Sequence, residues 1–404
     1  MIPSAATLRV IAPLGPVGRT STQQLLRTAT SRTHLLARHL SATASAKNSP
    51  GKTQTDSAKM SLPETVEAIA IDRTGDIDVL EKKKVPFPAR APGDIVIQVA
   101  YGGVNFIDSY YRKGLYPIKR FPQILGMEAS GTVVSLPTDP AVLADEEYQK
   151  RGFQVGSRVA LNALGVHAEF ASAPWSKVFP VPAGVSLLTA AAATLQGLTA
   201  LTFAEEAYRI KAGDTVFIHT VAGGFGLLLA QLAKHAGATV IGTTSTEEKA
   251  AVARAHGADH VILYTKENVV ERTLALTSGE GVHVIYDGVG KDTFLDNFKI
   301  ARRKGTIVSV GNASGPVEPV APLKLVEKNL ALLRPTMLNY IYTPEEARYY
   351  GDKLFGYIAN GVLKINIYKQ YSFTTEGARE AHRDLTTKGG STVGKLVYTI
   401  GGEP

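Results

Sequence analysis

Residues 214–237 read DTVFIHTVAGGFGLLLAQLAKHAG. The run Thr215-Val216-Phe217-Ile218 is apolar and rich in β-branched residues, the pattern of a buried strand. The chain then turns through Ala222-Gly223-Gly224-Phe225-Gly226 and enters a Leu- and Ala-rich helix that Gly237 ends. Strand, glycine turn and helix together present the free N–H groups of a helix N-terminus to a nucleotide pyrophosphate. A glycine turn alone is also a plain packing device; the flanking strand and helix make this one a nucleotide site. Against the pattern G-x-G-x-x-G, Val221 fills the first glycine slot. Gly223 and Gly226 keep the close-approach and helix-packing slots.

Downstream, strands are expected at 215–220, 239–244, 260–263, 283–287, 305–310 and 330–334. Helices lie between them, for example at 246–256 and 291–302. This alternation predicts a parallel, doubly wound sheet. The strand at 239–244 bears on the nucleotide. An NAD site places Asp or Glu about 20 residues after the glycines, against the ribose 2′-hydroxyl. Here the chain offers Thr243, Thr244 and Ser245, then Lys249, and Tyr264 ends the following strand. Hydroxyls and a cation without a carboxylate suit the 2′-phosphate of NADPH.

Upstream, short strands at 66–71, 94–99, 131–134 and 157–160 alternate with Gly and Pro turns, which predicts a compact β-rich domain. Residues 137–152 read as an insertion loop without chemistry. A helical pattern at 186–208 carries the chain into the nucleotide domain. After a helix at 344–360, a last strand at 394–399 is expected to return to the first domain.

The chain has 404 residues and no cysteine, which excludes disulfides, thiol nucleophiles and Cys-ligated zinc. No run approaches the roughly 18 uninterrupted apolar residues of a membrane span. The net charge of +8 is concentrated at one end. Positions 1–60 hold eight Lys and Arg and one acid, Asp56, which leaves 36 basic against 35 acidic residues for the rest. A near-neutral body argues against nucleic acid as a partner. The basic segment is rich in Ser, Thr, Ala and Arg, the composition of a mitochondrial transit peptide. Arg38-His39-Leu40-Ser41 resembles a matrix-protease site with cleavage after Leu40, and 41–61 reads as a linker. The expected location is the mitochondrial matrix; without such an address the cytoplasm is the alternative.

A second stretch, Gly102 to Pro117, is polar and aromatic at once. Asn105 suits a carboxamide or carbonyl, and Tyr110 and Tyr116 suit a planar substrate. Five segments then follow in order: Asn105-Phe106-Ile107-Asp108 with Tyr110; Gly114-Leu115-Tyr116-Pro117; Ala222-Gly223-Gly224-Phe225-Gly226; Tyr286-Asp287-Gly288-Val289-Gly290; and Gly311-Asn312-Ala313-Ser314-Gly315-Pro316. Together they resemble the ζ-crystallin-like NADPH:quinone oxidoreductases of the medium-chain dehydrogenase/reductase superfamily. The resemblance spans about residues 63–400.

It implies an α/β fold: a GroES-like, β-rich catalytic domain at 61–185, a Rossmann doubly wound parallel sheet at 186–340, and a C-terminal return to the catalytic domain at 341–404. Positions 1–60 are then leader and linker. It implies NADPH in the cleft, with Asn105, Tyr110 and Thr199 near the nicotinamide and Tyr116 closing the acceptor pocket. Gly223, Gly224, Phe225 and Gly226 would meet the pyrophosphate. Ser245, Lys249 and Tyr264 would meet the 2′-phosphate, and Gly311, Asn312 and Leu338 would line the inner cofactor pocket. Gly288 stands where family members often carry Ser. Zinc-dependent relatives use Cys and His ligands. This chain has no Cys, and His167 stands alone in its stretch, so no metal is expected.

The function implied is reduction of a quinone by hydride or electron transfer from the nicotinamide. Positioning is most of what such an acceptor requires. An NADPH-dependent enoyl-thioester or alkenal reductase is the near alternative; the Asn-Phe-Ile-Asp stretch, in place of Asn-Pro-x-Asp, favours the quinone branch. A non-catalytic or RNA-binding NADPH protein is the alternative from another class. The resemblance also implies a homodimer joined at the Rossmann sheet edge.

Overall fold

The computed structural model describes residues 62–387 and 390–402; the leader at 1–60 lies outside them. Six parallel strands form the nucleotide-binding sheet. Across the sheet they run His260–Leu263, Thr239–Thr244, Thr215–Ile218, Val282–Asp287, Ala301–Ser309 and Ala331–Leu333. The chain therefore starts in the middle, moves outward twice, and returns to the centre before moving out the other way. The reversal falls between Thr215–Ile218 and Val282–Asp287, and a ligand crevice opens beyond the strand ends at such a point. Both faces are covered, so Val216, Phe217 and Ile218 are all buried. The helix Gly224–His235 packs Leu227, Leu228, Leu229 and Leu232 into the same core. Each such side chain contributes roughly 1.5–3 kcal/mol of burial.

The β-rich half contains a seven-stranded, mostly antiparallel sheet around Asp94–Val104. That strand pairs with Glu128–Ser135 and Phe170–Pro174, and at its far end with the last strand of the chain, Lys395–Thr399. A three-stranded sheet, Glu81–Pro86, Thr65–Ile71 and Gln123–Ile124, covers one end.

Helix Leu187–Thr202 crosses between the halves and ends in a π turn, Phe203–Ala207. By length and composition alone, 187–207 is long and apolar enough to cross a membrane. Of its 18-residue apolar window 72% is buried inside the protein, as in the core helix of a folded domain.

Outside the nucleotide turn, the expectations for 137–152 and 291–302 need correction. Residues 137–152 are not a loop. They hold the short helices Pro140–Leu143 and Glu146–Lys150, started by Asp139 and Asp145, whose carboxylates accept first-turn N–H groups. Glu147 then meets Arg348 at 2.7 Å, and Arg151 donates to the carbonyls of Val178 (2.6 Å) and Pro344 (3.0 Å). The segment ties the β-rich half to helix Pro344–Ala359. The helix expected at 291–302 is only Phe294–Ile300, because Ala301 and Arg302 already belong to the next strand.

Candidate active site

The glycine turn sits at the crevice. Strand Thr215–Ile218 is followed by His219 and then by Thr220 with φ 54°, a left-handed conformation that a β-branched residue rarely adopts. The turn closes by Gly223 N–H donating to the Thr220 carbonyl at 2.9 Å. Helix Gly224–His235 then starts with no side-chain cap. Its first-turn N–H groups thus lack a side-chain acceptor, the condition that suits a phosphate. At Gly226, a Cβ would lie 2.6 Å from the Thr220 oxygen and 2.7 Å from the Val221 Cα. At Gly224 a Cβ would lie 2.0 Å from Gln196 Oε1, a buried oxygen with no partner. Close approach to backbone demands glycine at 226, whereas at 224 the crowding is the end of the Gln196 side chain; the cradle fits a dinucleotide diphosphate.

Ser245, Lys249 and Tyr264 gather at one rim. Thr243, Thr244 and Ser245 are buried at the end of their strand. Tyr264, 45% exposed, continues the neighbouring strand, and its N–H donates to the Thr244 carbonyl at 3.1 Å. Lys249 stands in the first turn of helix Glu247–Ala255, and its ammonium bonds the Gly390 carbonyl across the rim. Partial burial lowers its pKa.

At the other rim, Asp287 organises the loops. Its carboxylate accepts the N–H groups of Val289 (2.8 Å) and Gly290 (3.0 Å), the Thr293 hydroxyl, and Asn297 Nδ2 (2.6 Å). Asn297 Oδ1 meets His219 Nε2 at 2.9 Å, which links the ends of the two central strands. Gly311 packs against Gly288, where a Cβ on Gly311 would lie 3.0 Å from the Gly288 oxygen. Gly288 itself has open space where a side chain would project. Asn312 N–H donates to the Tyr110 hydroxyl oxygen at 3.0 Å and so joins the two halves of the molecule. Desolvation raises the pKa of Tyr110 and keeps it a neutral phenol. Tyr116 packs on it with ring centroids 5.5 Å apart, and Phe106 flanks it at 6.0 Å. Leu338 is partly exposed on helix Met337–Tyr340. The Thr199 hydroxyl donates to the Leu195 carbonyl of its own helix at 2.7 Å.

The stretch carrying Asn105 forms a helix, Phe106–Arg112, with Asn105 as its N-cap. Asp108 reaches back to accept the Asn105 N–H at 2.8 Å. The Asn105 side chain is 3% exposed, and both ends of its amide are taken. Oδ1 accepts from Lys395 Nζ at 2.6 Å; Nδ2 donates to Glu128 Oε1 at 2.6 Å and to the Gly103 carbonyl at 3.2 Å. Lys395 and Glu128 form an ion pair with side chains 2% and 0% exposed. Asp108 is also fully buried, and burial pushes its pKa up to about 7.

Comparison with known proteins places this geometry. The zinc-binding dehydrogenase family matches residues 224–350, and the alcohol dehydrogenase GroES-like domain matches 91–183. A quinone oxidoreductase of Pseudomonas aeruginosa is 38% identical over 324 residues, 79% of this chain and 96% of the relative. The chain belongs to the quinone oxidoreductase family. A solved structure of the Escherichia coli quinone oxidoreductase, complexed with NADPH, superposes with a TM-score of 0.75 at 35% identity, covering 82% of this chain and 99% of that one. A 2-haloacrylate reductase of Burkholderia sp. is 33% identical over 82% of this chain and 98% of the relative. The GroES-like and Rossmann architecture of the family is the one described above.

Within this family member, the Tyr110–Asn312 bond joins the two halves and the glycine turn meets Gly394, whereas Asn105 faces a sealed network. Sequence reasoning missed Glu128, Lys395, Asn297 and His219, and gave Asp287 only as part of a family segment. A signal existed for two of them. Glu128 and Lys395 are single charges inside Leu125-Gly-Met-Glu-Ala and Val393-Gly-Lys-Leu-Val, where an apolar strand leaves no room for a solvated charge.

Proposed function

We propose that this protein reduces quinones with NADPH. The observation that carries the reading is the Tyr110 phenol at the junction of the two halves. Its oxygen already accepts the Asn312 N–H, so its own proton is left for an acceptor's carbonyl oxygen. Gly223, Gly224, Phe225 and Gly226 would hold the diphosphate of NADPH. Ser245, Lys249 and Tyr264 would hold its 2′-phosphate. Thr199, Gly311, Asn312 and Leu338 would line the inner pocket. Bound NADPH supplies the hydride or electrons. Tyr110 orients the acceptor and polarises its carbonyl, Tyr116 backs the ring, and the Asn105 network keeps water from the inner wall. The names of the Pseudomonas aeruginosa and Escherichia coli relatives and the NADPH of the latter support the reading.

A second reading, reduction of an activated C=C bond, is favoured by the 2-haloacrylate reductase relative. The same phenol would then polarise an enone or thioester carbonyl. Purified protein with NADPH is expected to turn over 1,2-naphthoquinone efficiently. Turnover confined to a trans-2-enoyl-CoA or a 2-haloacrylate would replace the first reading by the second.

Two further assignments belong to this proposal. The outer strand Ala331–Leu333 leaves one edge of the six-stranded sheet open, and Leu323 (79% exposed) and Val326 (62%) lie just before it. Such an edge invites a second copy of the chain. Sedimentation is expected to give a dimer, and a monomer at micromolar concentration would refute it. Positions 1–60 are proposed to direct the chain to the mitochondrial matrix, on composition alone. Processed protein from mitochondria is expected to begin at Ser41, whereas a full-length cytosolic chain would exclude the address.

A further inference from the structure

The buried Lys395–Glu128 pair belongs to neither rim of the crevice. As a stability device it is poor, since apolar replacement of such a pair is often neutral or stabilising. An apolar pair, however, cannot orient an amide. Here the ammonium faces Asn105 Oδ1 and the carboxylate faces Asn105 Nδ2. Reversing the amide would set N–H groups against the ammonium and an oxygen against the carboxylate, so a single orientation survives.

The pair also reaches outward in two directions. The second oxygen of Glu128, Oε2, accepts the Leu195 N–H at 2.6 Å, inside the helix whose next turn carries Thr199. Gly394, the residue before Lys395, donates its N–H to the Ala222 carbonyl at 3.0 Å and bridges Gly223. Gly394 and Lys395 line one small void with Gln196 and Gly224, at the start of the helix that closes the diphosphate cradle. Backbone and side chain of this dipeptide thus connect the glycine turn to Asn105 without an intervening loop.

We propose that Lys395 and Glu128 are positioning residues: they lock Asn105 and set its distance from the glycine turn, so that a dinucleotide seated on the turn meets the inner wall in register. This rests on the reading that Asn105 lies by the reacting end of NADPH. A purely structural pair would affect folding alone; a positioning pair affects turnover through Asn105.

The test is a double-mutant cycle on the full-length enzyme with NADPH and 1,2-naphthoquinone. Lys395→Arg keeps the charge and is expected to fold. Its larger head displaces Asn105, so kcat should fall about tenfold while the KM for NADPH stays within about twofold. In an Asn105→Ala background the same substitution should change kcat by less than about twofold, because the partner it acts through is gone. Multiplicative losses in the two backgrounds would overturn the proposal. So would a Lys395→Met/Glu128→Met double variant with the wild-type kcat. If the wild-type enzyme reduces only an enoyl thioester, the acceptor assignment fails by itself, and the cycle run with that acceptor still decides the role of the pair.

Discussion

The two walls of the crevice are built in opposite ways. The dinucleotide cradle is local: strand, turn and helix fall within 24 consecutive residues, and its working parts are backbone N–H groups and missing side chains. The Asn105 wall is non-local: Asn105 and Lys395 are 290 positions apart, Glu128 and Lys395 are 267 apart, and the working parts are buried charges. Backbone cradles tolerate varied neighbours but no added bulk. Charge networks tolerate bulk poorly and lost partners not at all.

That contrast is easiest to break at the charges. Glu128→Gln leaves the Lys395 ammonium buried without its counterion, and a loss of about 3–5 kcal/mol is expected in denaturant unfolding. A loss below about 1 kcal/mol would mean that the pair is open to water. The buried imidazoles behind the same wall give the next effect. Burial lowers His167 to about 4 and His382 to about 3, and both ring nitrogens of His382 lack a partner. Their unfolded value is about 6.5, so their contribution is complete above it and is lost as pH falls toward 4, on the order of 3 kcal/mol per ring. Asp108, raised to about 7, runs the other way: its contribution falls as pH rises from about 4 to 7. Two rings outweigh one carboxyl, so Tm should rise between about pH 5 and 6.5, and His382→Leu should flatten that slope. An unchanged slope in the variant would assign the acid transition to other groups.

The cradle side is probed by bulk. Gly226→Ala forces a methyl into the Thr220 carbonyl, and a cost of about 1–3 kcal/mol with a matching loss of NADPH affinity is expected. Normal affinity would show that the turn can relax. At the rim, Lys249→Ala is expected to weaken NADPH by roughly tenfold, the value of a charge-assisted contact, and NADH hardly at all. Equal losses by titration calorimetry would reduce the lysine to its bond with Gly390. The smallest effect belongs to Gly288→Ser, where open space allows a hydroxyl to add one bond of about 0.5–1.5 kcal/mol. A Kd for NADPH that does not tighten would place this residue away from the cofactor.

The same contrast decides how much was legible in the sequence. Strands at 239–244 and 260–263 fall where the apolar runs place them, because a strand buried on both faces announces itself locally. The strand expected at 215–220 stops at Ile218, since His219 is drawn to Asn297 and Thr220 turns left-handed. Gly223, Gly224 and Gly226 were legible as the turn's pattern, with a backbone-imposed need for glycine at Gly226. Tyr110 and Tyr116 were legible as aromatic residues in a polar stretch, but the helix beneath them depends on Asp108 reaching back to Asn105. Lys395 and Glu128 were not legible as a pair. The return of the last strand to the first domain was expected and is observed, but no local pattern gives its register or the partner of its lysine.

That last strand has a consequence for how the molecule is made. Lys395–Thr399 is not an edge: it lies between Ile367–Ser372 and Asp94–Val104. During synthesis the Rossmann strands emerge as a contiguous block and can fold as they appear. The β-rich half must wait with an open slot until Lys395–Thr399, some 290 residues after Asn105, has been released. Loss of Lys395–Thr399 would detach the edge strand Ile367–Ser372 from Asp94–Val104 and remove the Lys395 contact with Asn105 together. Arrival of this strand therefore acts as a checkpoint: a product terminated before Lys395 lacks the partner of Asp94–Val104 and exposes a vacant strand position to the cell's proteases.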